Sequence, residues 1–318
     1  MLSESSSAPS LYKPGDGFVC SISTDMTVYT SLIGGLGNQM FQYAAGRALA
    51  LRKNTELRLD VSGFASYGLH QGFELRQVFE CPARIARTSE IEALLGWQSR
   101  SFIRRLMARS ALAAFRRDTF VVEPYFHYWP GINEVPQNCY LAGYWQSEKY
   151  FQDMELIIRA DFAFRVPMSK QNEQIARKMA QGNAISLHVR RGDYISNPQT
   201  HATHGICTLD YYHAAIRYMA EQVESPSFFI FSDDMAWVRE HLKLDFSCQY
   251  VENNKGAESY NDMRLMSMCQ HHIIANSSFS WWGAWLNAST KKIVIAPQKW
   301  FANRRNTQDL FPGGWVTL

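Results

Sequence analysis

Five short apolar runs organise the second half of the chain: "AISLHV" (184–189), "SFFIFS" (227–232), "CQYVE" (248–252), "HHIIAN" (271–276) and "KKIVIA" (291–296). Stretches of helical periodicity alternate with them, near 209–222, 234–242, 258–269 and 278–288. A strand with consecutive apolar residues needs cover on both faces. Alternation of such strands with helices supplies that cover when a parallel sheet lies between two helical layers. The first half shows the same unit once: "TVYTSLI" (27–33) reads as a strand, "GGLGN" (34–38) as a loop and "QMFQYAAGRALALRKN" as a helix. "ELRLDV" (56–61) follows as a second strand, completing a βαβ unit with glycines where its helix begins. The expected class is α/β in two halves, an N-terminal domain over 27–165 and a C-terminal domain over 166–318. A polar, Ser-rich extension, 1–26, precedes them.

Composition allows a large core, since 46% of the 318 residues are hydrophobic and only 19% charged. A net charge of +3 is too small to make nucleic acid the main partner, although it fits a local basic pocket for a phosphorylated ligand. The six cysteines form no C-x-x-C pair, so reduced thiols are expected. Apolar runs fall short of the ~18–20 residues of a membrane span and no signal-peptide pattern opens the chain; the expected compartment is the cytoplasm. The sequons at Asn276 and Asn287 are read as chance.

Chemistry concentrates at strand ends. "HVRRGDY" (188–194) closes the first C-terminal run with His188, Arg190, Arg191 and Asp193. Ligands of open α/β sheets bind beyond the carboxyl ends of the strands. A guanidinium fork holds a phosphate through paired hydrogen bonds, so two adjacent arginines suit a pyrophosphate, with Asp193 holding one of them in place. "FSDDM" (231–235) sets Asp233 and Asp234 at the next strand end. One of them is expected to accept from the paired donors of a guanine edge; a helix cap and a metal site are the competing readings. In "ANSSFSWWGAWL" (275–286), Asn276, Ser277 and Ser278 open a helix and are assigned to phosphate oxygens, with Phe279 beside them. The tryptophans that follow are assigned to core packing against the sheet. "GGLGN" lacks the spacing of a nucleotide fingerprint and is by itself ambiguous. The histidines, including His201 and His204, show no metal spacing and read as surface groups.

Together, "IGGLGNQMFQYAAGRALA", "HVRRGDY", "FSDDMAWV" and "DMRLMSMCQHHIIANSSFSWWGAWL" resemble the bacterial α-1,2-fucosyltransferases of glycosyltransferase family 11, from about residue 27 to the C-terminus. The resemblance implies a GT-B fold of two Rossmann-like domains facing across a cleft. It implies inverting transfer of fucose from GDP-β-L-fucose to the 2-hydroxyl of a terminal galactose, with no metal and no further cofactor. By the same resemblance, Arg190 clamps the β-phosphate beside Arg191 and His188, and Asp193 orients the loop. Asn276, Ser277, Ser278 and Phe279 line the donor, and Gly34, Gly35, Gly37, Asn38 and Gln39 close on it from the N-terminal domain. His188 and Asp193 are the candidates for a base. The acceptor is a galactose-terminated glycan read by loops within 62–165, and peripheral contact with a lipid-linked acceptor is compatible with this. The competing functions are a non-catalytic sugar-nucleotide or carbohydrate-binding module, suggested by the aromatic cluster at 125–129, a transferase of another GDP-sugar, and a metal-dependent transferase using Asp233 and Asp234.

Overall fold

The computed structural model describes residues 26–66 and 71–318. Two parallel sheets carry the molecule. The first contains β1 (Thr27–Ser31), β2 (Glu56–Asp60), β3 (Arg84–Ile85), β4 (Phe120–Val122) and β5 (Cys139–Ala142), in the order β3-β2-β1-β5-β4. The second contains β6 (Asn183–Val189), β7 (Pro226–Ser232), β8 (Ser247–Val251), β9 (His271–Ile273), β10 (Val294–Ala296) and β11 (Val316–Thr317), in the order β11-β10-β9-β6-β7-β8. Each sheet lies within one half of the chain, and strand order reverses once in each. The reversals fall between β1 and β5 and between β6 and β9, where a crevice opens at the strand ends.

Two of the apolar runs fulfil the burial their sequence demands, β6 from Ala184 to Val189 and β7 from Phe228 to Phe231, whereas β8 at the sheet's edge buries only Val251. β1 alternates instead. Val28 joins the core on one face of its sheet and Tyr29 a separate core on the other. The region 62–165, whose sequence pattern is less regular, is built of short helices and 3-10 turns between short strands.

The helices Leu36–Arg52 and Ser278–Leu286 meet end to face, although they belong to different halves. Phe41 lies 4.5 Å from Trp281 and 4.9 Å from Trp282, ring to ring, and Phe151 stacks on Trp282. The Trp282 indole donates to the carbonyl of Gly37 at 2.9 Å, and the Trp281 indole to Leu310. The tryptophans therefore do fill core, but their partners lie in the N-terminal half as much as in the sheet beneath them. One buried cluster runs from Val28 through Phe41 and Trp282 to Ala296 and Leu310.

Gly37 makes this approach possible. A Cβ there would sit 2.6 Å from the carbonyl carbon of Ser278 and 2.7 Å from the amide of Phe279, both backbone atoms that cannot swing away. Gly37→Ala should therefore lower the thermal midpoint, an overpacking cost of ~1–3 kcal/mol. An unchanged melting curve would mean that the two helices have room to separate.

Candidate active site

Three neighbouring strands of the second sheet, β9, β6 and β7, deliver the charged motifs side by side. Register dictates their pairing. Val189 is opposite Ser232, so the arginines that follow the one strand face the aspartates that follow the other. Arg190 Nη1 lies 2.9 Å from Asp233 Oδ2, and Arg191 Nε lies 3.2 Å from Asp234 Oδ2. The other Asp233 oxygen accepts from the Arg191 amide at 2.8 Å. Gly192 permits this closeness, because a Cβ there would meet Asp233 Oδ2 at 2.7 Å.

The two arginines differ in setting. The Arg191 guanidinium carbon lies over the Trp237 ring, 3.6 Å from its centroid, and the Arg191 side chain is only 13% exposed. It straps the loop to the helix Met235–His241. Arg190 is 24% exposed and lies above Tyr194, with Asp233 aiming its fork. Asp234 caps the helix by accepting from the Trp237 amide, the expected structural role for one aspartate. Both oxygens of Asp233 are engaged at the arginine loop. It does what Asp193 was expected to do. The Asp193 side chain lies outside the described residues.

Ser277 caps the tryptophan helix, accepting from the Phe279 amide. Ser278 and Phe279 remain half-buried at its positive end, and the Phe279 ring lies 6.0 Å from that of His188. Asn276 has a different task from the one expected. It is 2% exposed, donates to the carbonyls of His204, Gly205 and Trp300, and accepts from the Cys207 thiol. It joins three loops beneath the site. Gln39 is likewise withdrawn from the ligand: it is fully buried, donates to the carbonyls of Gly34 and Gly72, and accepts from the Glu74 amide. Gly34 takes a φ of +80°, which turns the chain from β1 into the helix. Gly35 precedes the first helical residue, and Asn38 accepts from Gln146 across the first sheet's reversal point. The glycine loop thus lies against the tryptophan helix, with Gly37 at the contact.

A series of aromatic rings links this centre to the cluster at 125–129. Tyr194 stacks on His204 at 5.0 Å, His204 neighbours Phe301 at 5.4 Å, and Phe301 meets Phe126 edge-on at 4.8 Å. His204 is therefore half-buried among rings, where a surface histidine was expected. The series ends in an open groove of about 410 Å³ between the two halves, lined by Glu123, Tyr125, His127, Tyr144 and Arg305 among others. Tyr125 and His127 stack in parallel at 4.7 Å, with Tyr125 exposed. Glu123 accepts from the amides of Tyr144 and Trp145, and burial pushes its carboxyl up to about 7 against the lowering influence of those bonds and of Arg305. Nothing at 123 breaks the local pattern, so only the fold could reveal it.

His188 is 5% exposed and its Nδ1 has no hydrogen-bond partner. Burial lowers its pKa to about 4; Asp233 opposes the shift and Arg190 adds to it. The folded value lies below the ordinary 6.5, so the unfolded chain takes up this proton first. The associated stability is complete above pH 6.5 and declines as pH falls towards 4. His188→Gln should flatten the acid limb of a urea-midpoint series by up to one proton, ~1.4 kcal/mol per pH unit. A slope equal to wild type would mean that His188 is charged in the fold.

Comparison with known proteins agrees with this geometry. The sequence pattern of Glycosyl transferase family 11 matches residues 93–318. The chain is 36% identical over 296 residues to an alpha-1,2-colitosyltransferase of Escherichia coli, covering 92% of this chain and 98% of that protein. It is also 36% identical, over 312 residues, to the O-antigen biosynthesis glycosyltransferase WbnK of Escherichia coli, covering 92% of this chain and all of the other. Among solved structures, NodZ alpha-1,6-fucosyltransferase soaked with GDP-fucose superposes with a TM-score of 0.52 at 17% identity, over 82% of this chain and 92% of NodZ. The facing parallel sheets are the GT-B arrangement. With the family pattern spanning more than two thirds of its length, the chain belongs to glycosyltransferase family 11 and is a glycosyltransferase.

Proposed function

We propose that this protein transfers L-fucose from GDP-β-L-fucose to the 2-hydroxyl of a terminal galactose, inverting the anomeric carbon and using no metal. The observation that carries the reading is Arg190, a guanidinium aimed by Asp233 at a strand-order reversal beside the positive end of a helix. In this transfer the bond from sugar C1 to the phosphate oxygen breaks, and a bond from C1 to the acceptor oxygen forms. The acceptor hydroxyl loses its proton, and negative charge grows on the departing diphosphate. A preset fork and helix amides meet that charge without reorganisation. Asp233 keeps the fork oriented, and Arg191 stiffens the loop through Trp237 and Asp234. The buried, neutral His188 supports the loop from beneath and is a weak base at its depressed pKa.

The groove ending the aromatic series suits the acceptor. An exposed, stacked Tyr125 offers a face to the apolar side of a sugar ring, and Glu123 and Arg305 offer polar contacts. A carboxyl near neutrality can also receive the proton of the attacking hydroxyl. The colitosyltransferase likeness favours a second donor reading, GDP-L-colitose, in which the sugar is L-fucose without its 3-hydroxyl.

Both donors should be assayed against galactosides in excess EDTA. Turnover is expected to persist with GDP-fucose. Loss on chelation with recovery on Mn²⁺ would refute the metal-free mechanism, and transfer of colitose alone would reassign the donor. Arg190→Lys keeps the charge but not the fork, and kcat should fall ~10²–10³-fold. Near-normal turnover would remove Arg190 from the leaving-group site. Tyr125→Ala should raise the acceptor KM about tenfold, the equivalent of ~1.4 kcal/mol, and leave the donor KM unchanged. A donor-side defect would move the groove to the nucleotide.

A further inference from the structure

The segment between β3 and β4 is the one strongly charged part of the chain that the transfer reaction does not use. Residues 93–117 contain six arginines and no acidic residue, in a chain whose net charge is only +3. The strands it connects lie on opposite edges of the first sheet, so it crosses the sheet's whole width. Leu94, Leu95 and Met107 anchor it in a core with Tyr29, Phe120 and Tyr140. This is the face opposite the one shared with the tryptophan helix.

The segment folds into one small unit. Gln98, 1% exposed, donates to the Phe115 carbonyl and accepts from the Arg117 amide, which sets the turn after Gly96 beside Phe115. Arg116 ties the Ser110–Phe115 turn to the helix Ser101–Met107 through the Met107 carbonyl. Arg104 is spent inward on Asp60 and Tyr140. What remains outside is unusual: Trp97 is 56% exposed, Phe102 75% and Phe115 67%, interleaved with the exposed Arg100, Arg105 and Arg109. Three large aromatics facing water on one unit need a reason.

We propose that this unit is a docking surface for an anionic phospholipid bilayer, with the aromatics entering the headgroup–acyl boundary and the arginines meeting lipid phosphates. Rings of this size gain from partial immersion, and each surface arginine adds attraction to acidic lipid. No helix among the described residues is long and apolar enough to cross a membrane, so the contact is peripheral. Nucleic acid would use the same charges, but it gives no reason for two phenylalanines standing this far out.

The test is vesicle flotation of the full chain with phosphatidylglycerol–phosphatidylcholine mixtures and with phosphatidylcholine alone. Wild type should float at least fivefold more with the anionic vesicles, and high salt should reduce this. The triple variant Trp97→Ser, Phe102→Ser, Phe115→Ser should lose at least fivefold at unchanged circular dichroism and melting. Arg105→Glu with Arg109→Glu, confined to exposed charges, should do the same. Flotation indifferent to lipid charge overturns the proposal, as does a triple variant that floats like wild type. Retention on duplex DNA equal to that on vesicles and unaffected by the triple variant would make the surface a nucleic-acid site. A dimer that dissociates in the triple variant would show the aromatics to be covered by a second copy.

Discussion

The contact of the Leu36–Arg52 helix with the tryptophan helix governs the rest of the molecule. It joins the glycine loop after β1 to the helix after β9, the two places where each sheet reverses its strand order. Because both helices begin there, their positive ends converge on the same crevice, a favourable place for a diphosphate. The absence of a side chain at Gly37 sets how close they come, and the Trp282 indole bond to its carbonyl keeps the alignment. The geometry of the crevice and core packing are thus one constraint here, and a substitution that disturbs either disturbs both.

On that frame the charged loop is assembled by register. The two arginines follow a strand paired in parallel with the strand that carries the two aspartates, so the ion pairs follow from the ladder with no further instruction. One pair, Arg191 with Asp234, is reinforced by an indole face and a helix cap and serves as scaffold. The other, Arg190 with Asp233, stays partly open to solvent. Adjacent residues of the same type therefore differ in setting, and the neighbours of each, rather than its own chemistry, decide which is strapped down and which stays partly open.

Much of this was readable before any coordinates. Apolar runs bounded by turn residues announced the six-stranded sheet except its last strand, most clearly at β6 and β7, whose central residues are buried. The arginines, the aspartates and the serine-opened helix were locatable because parallel sheets place function at strand ends. Three things were not readable. That Asp233 reaches Arg190 depends on register across two strands, which a local reading of either motif does not contain. The buried amides of Gln39 and Asn276 look like ligand donors in one dimension, and only their loop partners show them as scaffold. The region 62–165 builds its elements from short helices and 3-10 turns, so the aromatic cluster at 125–129 was visible but Glu123 and the groove it joins were not.

The continuous core has a consequence for how such a chain can be divided. A cut near residue 166 separates the two sheets cleanly, yet it parts the tryptophan helix from Phe41 and Phe151, which cover it, and leaves Asp309 without Lys149 and the Tyr128 amide. A hybrid that exchanged the first sheet between relatives would inherit mismatched rings at this seam. The natural module for recombination is the first sheet together with the tryptophan helix and the 309–310 return, a unit discontinuous in sequence. The groove residues Glu123, Tyr125 and His127 lie outside this seam, so substitutions there leave the ring contacts of the tryptophan helix untouched.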